Sequence, residues 1–266
     1  MEQTRSPAAE MPFLDHLEEL RWRIIWSLAA LVVGVVAAFF LVMKLNLLTW
    51  MQGPMLPYLH GHRLVYTHPG DGFSILMQTA IIVGFVIALP VILYQVYAFL
   101  SPALYRHEKR IVMPVIFGAV ALFIAGAALA WYFVLPMTLK FLSGLGDEAF
   151  DQMITVSEYF GFVTSMVLAM GAVFELPIAV LLLSALGLVT PQYLTRFRRH
   201  ALIGSYVVAA IITPGDLFVT SVALMVPLYL LYEMSIVLSY IVFRKRMRKR
   251  AAAEAAELAE ASQSPA

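Results

Sequence analysis

The stretch Ile24-Ile-Trp-Ser-Leu-Ala-Ala-Leu-Val-Val-Gly-Val-Val-Ala-Ala-Phe-Phe-Leu-Val-Met43 carries no charged side chain and is bracketed by Arg23 and Lys44. Wound as an α-helix at ~1.5 Å per residue, a run of this length reaches about 30 Å, the thickness of a bilayer's hydrocarbon core. Five more apolar runs follow, at about 75–100, 111–135, 159–186, 201–213 and 217–240. Of the 266 residues 61% are hydrophobic and 13% charged, more apolar surface than a single soluble core can cover, so lipid must be part of the solvent. The sequence predicts an all-α, polytopic membrane protein with six transmembrane helices.

The amino end is not that of a cleaved leader. Asp15, Glu18 and Glu19 precede the first run, which is longer than a signal-peptide apolar core and lacks a small-x-small cleavage site, so this span is expected to be retained. Cysteine is absent, which excludes disulfides, thiolate metal sites and thiol nucleophiles. The six histidines are scattered, without the i, i+4 pair around a glutamate that a helical zinc protease needs. No metal or cofactor is expected.

Basic residues set the orientation. With the amino terminus inside, one side of the membrane receives Arg5, Arg21, Arg23, Arg106, Lys109, Arg110, Arg196, Arg198, Arg199 and the six basic residues of 244–250. The other side receives only Lys44, Arg63 and Lys140. Fifteen against three places both termini in the cytoplasm under the positive-inside rule. The expected organisation is a cytoplasmic amphipathic segment over 1–23, a six-helix membrane domain over 24–243, and a tail over 244–266. That tail opens as a basic collar suited to anionic lipid and continues as Ala/Glu-rich sequence expected to form a fraying helix.

The fifth run, Ala201 to Thr213, is too short to match an ordinary bilayer, which demands a thinned membrane or shielding neighbours. It ends at Thr213-Pro-Gly-Asp216, a turn in which Asp216 can cap the next helix, so the fifth and sixth spans are expected to form a tight hairpin. Gly84-Phe-Val-Ile-Ala-Leu-Pro90 aligns with Gly171-Ala-Val-Phe-Glu-Leu-Pro177, a weak internal similarity between spans two and four. Each proline removes a backbone donor, so both helices are expected to bend.

Few side chains are suited to function. Glu175 lies deep in the fourth span, where a charged group costs ~2.5–3.5 kcal/mol on insertion scales, so it must face protein or water. It is either a hydrogen-bonded structural acid beside a kink or a functional group, a polar contact for a partner helix or a proton-sensitive site. Glu233 lies near the inner end of span six and is expected to be interfacial. Met11 to Arg23 reads as a short amphipathic helix with Phe13, Leu17, Leu20 and Ile24 along one stripe. Its polar face is acidic, unlike that of a helix made to lie on anionic lipid. A cationic partner is one reason; acids favouring a helix amino end and a Glu19–Arg23 pair at i, i+4 is the other. Glu108 is the one acid among three basic residues in the loop Ser101–Arg110.

Four motifs carry a family resemblance: His16-Leu-x-Glu-Leu-Arg-x-Arg23, Tyr97-x-Phe-x-x-Pro-x-Leu-Tyr-x-x-Glu-x-Arg110, Phe174-Glu-x-Pro177 and Thr213-Pro-x-Asp216. Together, in this order and on these sides of the membrane, they resemble TatC, the multispanning receptor subunit of the twin-arginine protein translocase. Gly215 stands where many members carry a second proline. The resemblance implies binding of the Arg-Arg motif in signal peptides of folded cargo, an oligomeric assembly with the single-span TatA and TatB proteins, transport driven by the proton-motive force, and residence in the bacterial inner membrane. It implies no enzymatic activity and no nucleic-acid partner. It further implies that Glu19 and Glu108 are the signal-recognition carboxylates, with Arg21 and Phe99 in the same surface. Pro54 matches a functional proline of the first external loop, Glu175 the intramembrane acid, and Asp216 the acid of the last external turn.

A guanidinium is best received by a carboxylate, and two arginines ask for two acids at a water-accessible inner face, which Glu19 and Glu108 supply. The competing class is a secondary transporter of a small solute, which would show several ionisable or unwound sites at mid-membrane. An intramembrane hydrolase would need a nucleophile and base that the sequence does not offer.

Overall fold

The computed structural model describes residues 13–59, 63–100, 112–144, 153–213 and 218–263. The regular elements of these residues are helices, with one isolated parallel bridge between Val65 and Thr155. The helices are α1 (Phe13–Lys44), α2 (Leu47–Met51), α3 (Asp71–Leu100), α4 (Val112–Leu129), α5 (Leu135–Ser143), α6 (Val156–Phe174), α7 (Leu176–Leu186), α8 (Pro191–Arg196), α9 (Arg198–Ile212) and α10 (Val219–Gln263). A 3-10 turn over Gly53–Tyr58 follows α2, and a π-helical turn over Ala130–Val134 joins α4 to α5. Among the described residues five stretches are long and apolar enough to cross a membrane: His16–Lys44, Asp71–Phe99, Met113–Ser143, Val156–Leu186 and Val219–Arg244. At 15 residues, α9 falls short of that length.

Local signals in the sequence account for many of the boundaries. Thr155 caps α6 by accepting the Glu158 N–H at 3.3 Å, a Thr-x-x-Glu start. Thr190 caps α8 in the same way through Tyr193, with Pro191 in the first turn. Gly187, at φ 80°, ends α7, and the Leu188 N–H reaches back to the Leu183 carbonyl at 3.0 Å.

Two boundaries differ from those expected. The segment read as a short amphipathic helix is the first part of α1, which runs without a break from Phe13 to Lys44. The third apolar run does not stop before Pro136. The Leu135 N–H bonds to the Ala130 carbonyl across the π turn, and Pro136, lacking an N–H, falls in the first turn of α5, where none is needed. At the two prolines expected to bend their helices, α3 is continuous through Pro90, and the helix containing Pro177 divides at Glu175 into α6 and α7. The tail is helical, and α10 extends through the basic collar to Gln263.

The chain forms two compact units. The first contains residues 1–48 and 76–120. Here α1 and α3 cross at glycines: a Cβ on Gly84 would lie 2.6 Å from the backbone N and Cα of Val35, and one on Gly34 would lie 2.5 Å from the Gly84 carbonyl oxygen. Ala38, Ala80 and Ala88, also small, are buried in this unit. Lipid is as apolar as leucine, so close backbone approach rather than hydrophobicity holds such a crossing together.

The second unit contains residues 49–75 and 121–266. In it α10 packs on α7, α8 and α9. Ser184 donates to Ser239 at 2.8 Å between α7 and α10, both hydroxyls buried. Arg198 pairs with Glu233 at 2.8 Å near one end of α9, and Thr213 shares a 2.8 Å hydrogen bond with Ser221 just beyond the other, so α9 and α10 run antiparallel. Glu233, expected to be interfacial, is held by Arg198 on one oxygen and by the Tyr229 hydroxyl on the other. Elsewhere in the unit Phe123 rests on Gly171 and Phe174 on Gly126, an interlock of rings and glycines between α4 and α6.

Candidate functional site

In the first unit, the start of α1 presents a polar face to the end of α3. His16, Glu19 and Arg23 recur at helical spacing and are all half-buried, whereas Leu17 and Ile24 are 45% and 57% exposed. Two residues of the apolar stripe, Leu17 and Ile24, therefore face outward here, and the polar residues make the contacts. Arg23 Nη2 donates to Glu19 Oε1 at 2.9 Å, and its Nη1 donates to Gln95 Oε1 at 3.1 Å. One turn further along α3, Phe99 stacks on the His16 ring with centroids 4.5 Å apart. The second carboxylate oxygen of Glu19, Oε2, is buried and has no hydrogen-bond partner among the described residues.

This arrangement brings together Glu19 and Phe99, two of the residues singled out above. It leaves Arg21 outside the cluster, since Arg21 lies two residues from Glu19 on the exposed side of α1. Glu108 and Asp216 lie outside the described residues. Gln95 was not anticipated. The available signal was its polarity within an otherwise apolar run and its place four residues before Phe99, on the same helical face.

Glu175 and Pro54 belong to the second unit. Glu175 sits at the break between α6 and α7, with its own carbonyl accepting from the Ile178 and Ala179 N–H groups at 3.0 and 2.9 Å. Both of its carboxyl oxygens are buried and lack a hydrogen-bond partner among the described residues. Leaving a buried polar group unpaired costs ~1–3 kcal/mol, so a contact from a partner helix would satisfy this side chain. Glu175→Leu is accordingly expected to leave the purified chain as stable as the parent in detergent while impairing partner contact and transport, and Glu175→Gln, which can still hydrogen-bond, should impair them less. A clear loss of stability in the purified Leu variant would instead reveal an internal partner.

Pro54 starts the 3-10 turn that follows α2, ahead of the buried Met55. The segment around α2 is fastened at two points. The Tyr159 hydroxyl donates to the Met51 carbonyl at 2.6 Å, and the Trp50 and Trp131 rings stack 4.2 Å apart, with Trp131 lying in the π turn. Nearby, the Asp71 carboxylate at the start of α3 accepts the Thr67 and His68 N–H groups, each at 2.9 Å. Among the described residues there is no cluster of histidine and acidic side chains able to hold a metal ion.

Comparisons with known proteins agree on one family. A family model described as Sec-independent protein translocase protein (TatC) matches residues 15–227. The Sec-independent protein translocase protein TatC of Aquifex aeolicus (strain VF5) is 39% identical over 241 residues, covering 89% of this chain and 98% of that protein. The protein TatCy of Bacillus subtilis (strain 168) is 34% identical over 256 residues, covering 94% of this chain and 96% of its own. A crystal structure described as the twin-arginine translocase receptor TatC matches with a TM-score of 0.72 at 38% identity, over 86% of this chain and 99% of that one. The match extends over most of the sequence and over the helical architecture alike, and the chain belongs to the TatC family of Sec-independent protein translocase proteins.

Proposed function

We propose that this chain is the receptor subunit of a Sec-independent translocase, and that it takes the Arg-Arg motif of signal peptides on the Glu19 face of α1. It is a translocase component and not an enzyme. The observation that carries the reading is the carboxylate of Glu19, whose Oε2 is buried and unpartnered among the described residues, on the helix that also stacks His16 against Phe99. Such a group is prepared to accept a charge-assisted hydrogen bond from a cation. Glu108 is the proposed second acid, with Phe99 and Arg21 in the same cytoplasmic surface. Direct competition between Arg-Arg and Lys-Lys signal peptides for the purified chain tests the reading. The Arg-Arg peptide should bind more tightly, and equal binding would overturn it.

The rest of the machine follows from the same assignment. Both termini are in the cytoplasm, α9 is a short fifth span paired as a hairpin with a sixth, and the membrane is the bacterial inner membrane. The described helices and the bias of basic residues support this arrangement. TatA- and TatB-type single-span proteins are the partners in an oligomeric complex driven by the proton-motive force, with Glu175 as an intramembrane contact and Pro54 and Asp216 acting in the external loops. A secondary transporter of a small solute is not favoured, since the relatives are translocase proteins. Single cysteines at 2, 104, 197 and 255 should resist an impermeant thiol reagent added outside, and those at 61, 147 and 215 should react. Labelling of position 197 from outside would sink the six-span arrangement.

A further inference from the structure

The carboxylate assigned to the ligand already carries an arginine of the chain itself. Arg23 uses two different nitrogens, Nη2 toward Glu19 at 2.9 Å and Nη1 toward Gln95 at 3.1 Å. A guanidinium is planar and rigid, so holding both nitrogens fixes its plane against α1 and α3 at once. Two roles are open to such a group. An internal occupant would compete with the ligand, and its removal would free both Glu19 oxygens and tighten binding. A positioning group would hold the carboxylate in one rotamer, and its removal would let that carboxylate turn away.

Two features favour positioning. Gln95 anchors Arg23 to a second helix by a neutral amide that makes no demand on the Glu19 carboxylate, a brace that a departing competitor does not need. The oxygen that Arg23 leaves unused, Oε2, is the buried one without a partner among the described residues. Resting on the reading of Glu19 as the ligand's acceptor, we infer that Arg23, braced by Gln95, is a positioning residue that presents Glu19 as a one-oxygen acceptor. The ligand's guanidinium then sits on Oε2 beside Arg23 and does not displace it.

The test measures affinity of an Arg-Arg signal peptide for the full chain in detergent, using Arg23→Gln, Gln95→Ala, Glu19→Gln and the double variant Glu19→Gln with Arg23→Gln. Arg23→Gln should weaken binding about tenfold, the change produced by losing one charge-assisted hydrogen bond. Gln95→Ala should weaken it less but in the same direction, and it gives the same sign test should Arg23→Gln fail to fold. In the Glu19→Gln background Arg23→Gln should cause no further loss, because no carboxylate remains to be positioned, whereas a merely structural role gives the same added loss in both backgrounds. Unchanged or tighter binding by Arg23→Gln, or additive losses, overturns the inference while Glu19 stands as the acceptor. Unchanged binding by Glu19→Gln alone removes the acceptor and, with it, any role for Arg23 in positioning one.

Discussion

Gly84→Ala and Gly34→Ala are expected to destabilise the chain by about 1–3 kcal/mol each, the scale of overpacking by a single methyl group. The same change at Gly118 or Gly204 should be neutral or stabilising by up to ~1 kcal/mol, since alanine is the better helix former. The difference lies in what an added Cβ would meet. At Gly84 it meets Val35 N and Cα at 2.6 Å and at Gly34 the Gly84 carbonyl oxygen at 2.5 Å, all backbone atoms that no side-chain rotation can clear. At Gly118 and Gly204 it meets nothing within 4 Å. Gly126 should behave like Gly84, because its Cβ would lie 2.7 Å from the Met170 carbonyl oxygen. Gly171 should be milder, since the obstacle is the Phe123 ring, which can shift. Unfolding of the purified variants by increasing SDS, followed by circular dichroism, separates the two groups. If all these alanines gave the same midpoint, the α1–α3 crossing would not hold this protein together.

Glu19→Gln and Glu108→Gln should each weaken an Arg-Arg signal peptide by roughly 1.5–3 kcal/mol, the range for hydrogen bonds to a charged group, and leave membrane insertion unchanged. The two acids are far apart in sequence, but in the proposed topology the chain returns to the cytoplasmic side between them, so both can serve one peptide. A Lys-Lys peptide binds as point charges without the guanidinium's fork; it should be weak from the start and lose less. A Glu19 whose only task is the pair with Arg23 predicts another pattern, a cost of ~0.2–0.5 kcal/mol that treats all peptides alike. Measuring both variants against both peptides at two salt concentrations decides the matter, since a contact to an exposed charge fades with salt and a partly buried one persists. Parallel losses for the two peptides would remove these acids from recognition.

Much of the architecture was legible in the residues themselves. The uncharged run from Ile24 to Met43 needs only the rise of a helix and the thickness of a bilayer to become a span. Thr155, Thr190 and Gly187 mark helix ends because a side-chain acceptor or a positive φ does its work locally. The division before Pro177 was not legible in this way, since Pro90 lacks the same N–H and α3 runs through it unbroken. Glu19 and Phe99 were visible as candidates, through their motifs.

What sequence could not decide was which face of each helix turns inward. In water the apolar side of a helix must be the buried one, but in a bilayer lipid and protein interior are equally apolar, so the stripe of hydrophobic residues no longer points to the core. That is why Ile24, at the start of the uncharged run, lies exposed while Arg23 beside it meets α3. For the same reason, nothing local distinguishes Gly84, pressed on the backbone of α1, from Gly118, which touches nothing. Pro136 shows the limit from the other side: read alone it ends a helix, yet the π turn before it absorbs the missing donor and the helix continues to Ser143. The chain's own residues determined that it crosses a membrane and where several of its helices, such as those capped by Thr155, Thr190 and Gly187, start or stop. Only the tertiary packing decided that Arg23 and Gln95 would join Glu19, because that choice depends on which helices approach closely enough for polar side chains to find one another.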